Sequence, residues 1–573
     1  MIPSGYKEDV VYSEIPINGA GDMSFTRASN GTRINSQGLV EVTPWNLFQQ
    51  SENFPNAIWT KSTLTFNSTV TAPNGTSTAQ NYSTAGAYSY VLQTITVSSG
   101  EYYTVSCYLK YTSGVGSISI GYTDAPSNNF IRVDANLING TIGSVSYGGN
   151  GANGTATITS VGDGWYRVTV SGTLTIGNAG LIVSNLALGA TTFSIWGAQL
   201  NIGSTAKPYF PTTDRLNVPR LTYQNGGGGC PSLLLEKQST NDFIQSENLF
   251  TTHLVQNLTT SGNVDVATSP DGTQNADKFV PNSTSGVHGI ANGSSLAITS
   301  GQTYSFSAFV KSDGGAFNLI SLTFDSTTAW GATKNCIFNA STGASYSVPS
   351  SATMSSQNIG NGWYRITATL TASGSVSASL YQYRIYIADS SGNLSYAASS
   401  GNTAGIYVWG AQLEASSYPT SYIPTTSSSA TRVADDYSRS LSSIASGTAF
   451  INITDNVAVG TPGTHLFGPF SITGASLGLY LSRPNNARLR LWTQASANVF
   501  QTTETNLKLA ITWDGTNVNV YQNGVKVVTN YSYAITNVNN LFSSTYLESS
   551  ATIAEIALFN SVLTDAECIS LTS

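Results

Sequence analysis

Two long stretches of this chain are copies of one another, and no other feature constrains its architecture as much. Gln50-Ser51-Glu52-Asn53-Phe54 recurs as Gln245-Ser246-Glu247-Asn248-Leu249. Gly164-Trp165-Tyr166-Arg167-Val168 recurs as Gly362-Trp363-Tyr364-Arg365-Ile366. Trp196-Gly197-Ala198-Gln199-Leu200 recurs as Trp409-Gly410-Ala411-Gln412-Leu413. Three signatures in one order imply two modules of one topology, spanning 46–214 and 241–429. The offset between copies is 195 residues at the first signature, 198 at the second and 213 at the third. The second copy has therefore gained about 15 residues before its last signature. Two turn clusters, Ala388-Asp389-Ser390-Ser391-Gly392-Asn393 and Ser399-Ser400-Gly401-Asn402, lie there and predict an extended surface hairpin, on the kind of loop where recognition diversifies. Linked copies of one module suit contacts that are weak singly and strong together.

The strands are read from period-two alternation. Tyr103-Thr104-Val105-Ser106-Cys107-Tyr108-Leu109-Lys110 and its counterpart Tyr304-Ser305-Phe306-Ser307-Ala308-Phe309-Val310-Lys311 each follow a Gly-containing turn and put apolar residues on one face. Many such strands, with no convincing amphipathic helix, indicate β-sandwiches, jelly rolls in particular. Only 9% of the 573 residues are charged, against the roughly 25% of ordinary soluble domains. A 40% hydrophobic content still supports real cores. Residues 1–45 read as a separate lead-in of short strands broken by Asn-Gly turns, and 215–240 as a linker around Gly226-Gly227-Gly228-Gly229, with Leu233 to Leu235 as an apolar strand. Residues 430–573 form a third domain. Asp514-Gly515 and Asn523-Gly524 mark its clearest turns between alternating strands, and Thr564 caps a short helix near its end.

The formal charge of −7 and the scatter of 23 Lys and Arg leave no basic cluster for a phosphate backbone, so nucleic acid is not expected as a partner. No apolar run reaches the length of a membrane span, and the first residues lack a signal-peptide core. Cys107, Cys230, Cys336 and Cys568 stand too far apart for metal-type spacing and read as free thiols, Cys107 and Cys336 in buried strands. A chain made in a reducing compartment but surfaced with Ser, Thr, Asn and Gly fits a virion component, assembled in cytoplasm and acting outside.

Trp165, Trp363, Trp196 and Trp409 recur at matching places. Aromatic rings stack on sugars, but residues kept between diverged copies are expected to be core. Arg167 and Arg365 are expected to pair with a nearby carboxylate or carbonyl rather than to grip an anionic sugar. Residues that differ between copies are the better contacts for a glycan: Tyr88 and Tyr90 in the first, Trp330, Tyr381, Tyr383 and Tyr386 in the second. Catalysis is not expected. His253, His288 and His465 are isolated, so no Ser-His-Asp set arises. Glu548, Glu555 and Glu567 lack the spacing of paired glycosidase carboxylates. No cofactor is indicated; the one candidate for a structural Ca²⁺ is Asp435-Asp436.

Several of these phrases resemble bacteriophage virion proteins of the tail-fibre or head-fibre type. Phe25-Thr26-Arg27-Ala28-Ser29, Arg33-Ile34-Asn35 and Gly38-Leu39 look like an opening that precedes carbohydrate-binding-type modules in such proteins. Pro231 to Glu236 with Asn241 looks like its continuation, as if the first sandwich were inserted between the two halves. The Gly-Trp-Tyr-Arg and Trp-Gly-Ala-Gln-Leu signatures are similar to those of jelly-roll carbohydrate-binding modules in phage adhesins. Residues 509–528 and 553–571 resemble the concanavalin-like, laminin-G-like fold. The resemblance implies an all-β chain of tandem jelly rolls followed by a concanavalin-like sandwich. It also implies a non-enzymatic fibre or appendage, attached to other virion proteins through its N-terminal region, trimeric, and binding host-surface glycans. A purely structural virion component and a polysaccharide depolymerase are the alternatives.

Overall fold

The three signatures turn out to be the fastenings of each module. In the computed structural model the chain is described apart from residues 1–2, 9, 14–22, 85–88, 98–101, 124–128, 175–177, 186–188, 224–226, 458–466, 475–477, 483–488, 494–497, 503, 505, 536–537 and 542–549. Tyr88, Gly226, His465 and Glu548 therefore lie outside the described residues. The chain divides into two compact units: Thr43–Leu216, and Met1–Val42 with Asn217–Ser573. The fold is all-β, two jelly rolls and a third β-sandwich.

The unit Thr43–Leu216 is one sandwich. Its six-stranded sheet runs Gly151–Gly162, Trp165–Leu174, Tyr102–Gly114, Thr191–Ile202, Ala79–Thr84, Leu64–Val70. The facing sheet runs Thr141–Ile142, Phe130–Asn136, Ser117–Thr123, Asn178–Asn185, Ser89–Thr96, Thr60–Ser62. In the second copy the six-stranded sheet runs Ala352–Gly360, Trp363–Thr371, Thr303–Ser312, Ile406–Glu414, Gln274–Phe279, Ala267–Thr268. Its partner runs Ser345–Ser347, Lys334–Asn339, Leu319–Phe324, Tyr383–Ala388, Gly286–Ala291, Leu254–Gln256. Strand for strand, the two orders are the same.

Each signature solves one backbone problem, and solves it twice. In Gly-Trp-Tyr-Arg the turn places Asp163 and Asn361 at φ of 50° and 52°, followed by Gly164 and Gly362 at 76° and 79°. Trp165 and Trp363 are then buried. Arg167 donates to Ser106 Oγ at 2.9 Å and to the Lys207 carbonyl at 2.8 Å. Arg365 donates to Ser307 Oγ at 3.2 Å and the Thr420 carbonyl at 2.8 Å. In Trp-Gly-Ala-Gln-Leu the glycine sits in a β-bulge, at φ of 64° in Gly197 and 62° in Gly410. A Cβ there would come within 2.9 Å of the Tyr108 ring or 2.8 Å of the Phe309 ring, so only glycine fits. In Gln-Ser-Glu-Asn the serine closes the module. Ser51 Oγ lies 2.9 Å from Tyr209 Oη, and Ser246 Oγ 2.6 Å from Tyr422 Oη. Thr212 and Thr425 then donate to the Phe48 and Phe243 carbonyls at 2.5 and 2.6 Å.

The third sandwich is assembled from three distant stretches, and here the linear reading needs correction. One sheet begins with Pro3–Lys7, Val10–Ser13 and Met23–Thr26, continues into Asp436–Ile444, and includes Phe467–Gly474 and Leu489–Thr493. The other begins with Arg220–Thr222 and Ser232–Leu235, pairs with Ser550–Phe559, and continues through Gly447–Val457, Leu507–Trp513, Asn517–Gln522 and Val525–Ser532. Val11, Phe25, Leu221, Leu233 and Leu235 share one core with Tyr437, Ile451, Leu509 and Trp513. The lead-in is thus not separate, and 215–240 is no linker but two strands of this sheet. The Gly and Pro punctuation was real; what it punctuated was a strand whose partners are hundreds of residues away. The Thr564 cap is present, with a full capping box to Glu567 on the helix Asp565–Thr572.

A buried ionic cluster joins these stretches. Arg27 Nη1 meets Asp435 Oδ1 at 2.8 Å, and Arg220 bridges Asp435 Oδ2 and Glu236, the latter at 2.6 Å. Arg432 meets Glu236 at 2.9 Å. All five side chains are almost fully buried. Burial alone would raise the Glu236 carboxyl. Arg432 and Arg220, with hydrogen bonds from Ser421, overcome it and hold the group at about 2. Asp435 is therefore a partner of two arginines, not a Ca²⁺ ligand, and no group of His, Cys, Asp or Glu fit to hold a metal occurs among the described residues. Asp435→Ala should cost about 3–5 kcal/mol, because it leaves the buried Arg27 guanidinium without a counter-charge and Arg220 with Glu236 alone. Urea unfolding measures it; a loss below about 1 kcal/mol would show the cluster to be dispensable.

One matched position differs in charge. Gln80 pairs with Ile195, the residue before Trp196, and Asp277 with Val408, the residue before Trp409. Gln80 Oε1 accepts from Phe54 N at 3.4 Å. Asp277 accepts from Leu249 N at 3.0 Å and Asp265 N at 3.1 Å. Burial pushes its carboxyl up to about 7 in spite of those bonds. A carboxyl raised from 3.8 to about 7 stabilises the fold most below 3.8 and loses that contribution as pH climbs to about 7. Asp277→Asn should remove this loss. The variant's stability relative to wild type should rise by on the order of 3–4 kcal/mol between pH 4 and 7. Thermal melts at a series of pH values test it; parallel curves for the two proteins would refute it.

Candidate functional site

The outward face of the second module's sheet carries a row of side chains whose order follows from register. Gln256 pairs with Gly289, Gly289 with Tyr386, Tyr386 with Ser321, and Ser321 with Ile337. The next row joins Arg384, Thr323 and Asn335. Side chains directly opposite share a face, and the alternate residues Ile385, Ile387, Leu322 and Phe338 fill the core.

Within these rows the polar groups hold one another. Tyr386 Oη donates to Gln256 Oε1 at 2.6 Å and accepts from Arg384 Nη1 at 3.2 Å. Arg384 pairs with Asp325, and its Nε donates to the Tyr381 carbonyl at 3.0 Å. Thr333 donates to Asp325 at 2.6 Å, and Thr323 to Asn335 at 3.1 Å. Burial raises the Tyr386 phenol, only partly offset by Arg384, so it stays a neutral donor. The result is a rigid polar strip on strands rather than loops, with side-chain directions fixed in advance. At its edge Tyr381 is 36% exposed and sits at φ of 62°, an uncommon left-handed position for a bulky residue. The inserted residues do not project as a hairpin. Ser395–Tyr396 pairs with Gly286–Ala291, and Leu394 covers Leu319, Ile337 and Ala388, so the insertion roofs one end of this face.

In the first module the same face carries different chemistry. By register Tyr90 takes the place of Gly289, and Ser184 that of Tyr386, so the tyrosine of the row comes from the neighbouring strand. Tyr90 is half-buried. Nearby, the Arg132 guanidinium lies 4.1 Å over the Phe130 ring, and Ser119 donates to Asp134.

Of the residues read from sequence, Tyr381 and Tyr386 meet through Arg384. Trp330 and Tyr383 meet as well, but in the core, edge-on at 6.5 Å between ring centres and packed on Phe324. Trp330, Tyr383 and Tyr386 are exposed by only 4%, 0% and 2%, so none offers a ring face to a sugar; of Tyr386 only the hydroxyl takes part in the strip. They were picked as residues present in one copy only, which does not reveal that Trp330 lies on the short helix Thr327–Trp330 or which face of the strand Tyr383–Ala388 is covered. Trp196 and Trp409 are buried beside Tyr209 and Tyr422. His288 is fixed between the Asn257 and Tyr396 carbonyls at 2.7 and 3.0 Å. His253, lowered to about 4 by burial, accepts from Gly293 N. Sequence reasoning passed over Arg384, Asp325 and Gln256; the period-two spacing of Arg384 and Tyr386 was the available signal.

The chain matches no protein-family model and no curated protein. Among solved structures, the N-terminal tandem CBM22-1–CBM22-2 domain of Paenibacillus barcinonensis Xyn10C is similar at 13% identity over 62% of this chain and 92% of its own, with a TM-score of 0.19. The LG1-3 region of the laminin alpha2 chain is similar at 11% identity over 85% of this chain and 97% of its own, with a TM-score of 0.15. Likenesses of this strength carry no argument, and the fold is read from the sheets themselves.

Gly289 is the weak point of the strip. A Cβ there would meet the Ile385 carbonyl at 2.0 Å and the Tyr386 ring at 2.6 Å. Gly289→Ala should therefore cost about 1–3 kcal/mol or more, and displace the Tyr386 ring from Gln256. Melting curves and the near-ultraviolet signal of the tyrosines report both; an unaltered melt would mean the ring does not lie across this glycine.

Proposed function

We propose that this chain is a non-enzymatic adhesive protein whose two jelly rolls bind glycans through equivalent outward sheet faces. The observation that carries this reading is the matched row: each module puts one tyrosine in it, on neighbouring strands, while the fastening residues elsewhere are unchanged. Hydroxyl-rich ligands are held by fixed donors and acceptors of this kind. Because Arg384 is neutralised by Asp325, binding on this face is insensitive to salt and weak singly. Two modules per chain, and three chains per assembly, supply the avidity. The resemblance to phage fibre proteins supports display on a virion, attachment through the N-terminal region, and contact with host-surface glycans. The scarcity of charge and the structural use of His253 and His288 support the absence of hydrolysis.

A second reading, sandwiches acting only as spacers, is favoured by the burial of Trp330, Tyr383 and Tyr386. A glycan array probed with the full chain separates the two. Wild type should bind a subset of neutral glycans, and Arg384→Ala should lose them about tenfold or more while keeping its fold. Binding to no glycan would leave the spacer. New reducing ends on incubation with a bound glycan would overturn the non-enzymatic reading.

A further inference from the structure

Lys110 and Lys311 hold the same place in the two modules, beside the Gly-Trp-Tyr-Arg turn. A Cβ on Gly164 or Gly362 would lie 3.6 or 3.5 Å from the lysine Cε. Both lysines are half-buried, and among the described residues neither ammonium has a hydrogen-bond or ion-pair partner. In a chain with 23 Lys and Arg among 573 residues, one position leaves a lysine without an internal partner in both modules, its stem packed beside the turn and its ammonium open to solvent.

Around Lys311 the lead-in builds a wall. Its hairpin Gly31–Ile34 and Val40–Thr43 reaches over the turn, Val40 N donates to the Pro270 carbonyl at 2.8 Å, and Val40 packs with Trp363. Between hairpin and turn lies a cavity of about 150 Å³. Leu39, Pro270 and Ile359 give it apolar sides, and Lys311 and Asn361 line it beside the polar pair Thr268-Ser269. The Asn361 carboxamide, like the ammonium, has no partner among the described residues.

We propose that this cavity binds the carboxylate-bearing ring of an acidic saccharide. The ammonium takes the carboxylate through a charge-assisted bond, and the Asn361 amide takes a ring hydroxyl. The apolar sides receive the C–H face of the ring. A free phosphate would leave those sides unused, and one cation without converging backbone N–H groups is a poor phosphate cradle. The proposal shares the glycan class of the preceding reading but not its site, and it differs in salt dependence: this site weakens as salt is raised, because an unpaired charge does the work.

Calorimetric titration of the full chain with a glucuronic-acid-containing tetrasaccharide, and with the glucose counterpart, is the test. The acidic ligand should bind wild type at least about tenfold tighter at low salt. Lys311→Gln should erase that preference and Lys110→Gln should leave it. Equal affinity for the two ligands, or an acidic preference that survives Lys311→Gln, would overturn the assignment. So would competition by acetate as strong as by the saccharide. Arg384→Ala keeps the acidic preference even if it loses neutral glycans, so failure at either face is seen separately.

Discussion

The ionic cluster around Asp435 and Glu236 is the constraint on which the larger unit depends. In a chain with 9% charged residues, three arginines and two carboxylates meet in a space from which water is excluded. Each ion loses hydration worth several kcal/mol, and attraction offsets this only when every donor and acceptor is placed. Here they are placed by distant segments. Arg27 comes from the lead-in, Arg220 and Glu236 from the middle stretch, Arg432 and Asp435 from the end of the second module. Glu236 also accepts from Ser421, and Asp435 from Glu236 N. An arrangement of this kind tolerates no shift in register. A hydrophobic substitute of equal volume would be as stable and would fit more than one register, so we read the cluster as the device that selects the pairing.

The duplication separates fastening from display. What both copies keep are groups with no alternative partner: the bulge glycine, the serine that meets a tyrosine, the arginine that holds a carbonyl. What they change lies on the outward face, where Tyr90 and Ser184 stand in one module and Gly289 and Tyr386 in the other. The swap keeps one ring per row, because the position opposite a ring lying flat must be small. Asp277 against Gln80 follows the same logic in the interior. A buried carboxyl held near neutrality does the work of an amide and adds a dependence on pH that its counterpart lacks.

Local chemistry was legible in the sequence, and distant pairing was not. The period-two runs at 103–110 and 304–311, the Asp514-Gly515 and Asn523-Gly524 turns, and the Thr564 cap all stand where their residues indicate, since each is decided within a few positions. The third sandwich was expected from 430–573, but its strands from 3–26 and 220–235 were not, because no local pattern states that Leu234 pairs with Thr552. The site was half legible for the same reason. Aromatic residues unique to one copy pointed to the strand Tyr383–Ala388, which carries Tyr386 and Arg384. Burial depends on what lies above the sheet, and that was set by the insertion and by Gly289.

Rigid strands and free charge give this chain two different ways of holding a ligand. The strip around Tyr386 spends all its hydrogen bonds internally, so a ligand must exchange partners with groups already satisfied, and the net gain per contact is small. Lys311 and Asn361 have no internal partner among the described residues, so a ligand that reaches them displaces only water. The two lysines share a turn, but only Lys311 has the lead-in hairpin above it. The same N-terminal stretch that completes the third sandwich and supplies Arg27 to the cluster therefore also turns a bare ammonium into a cavity.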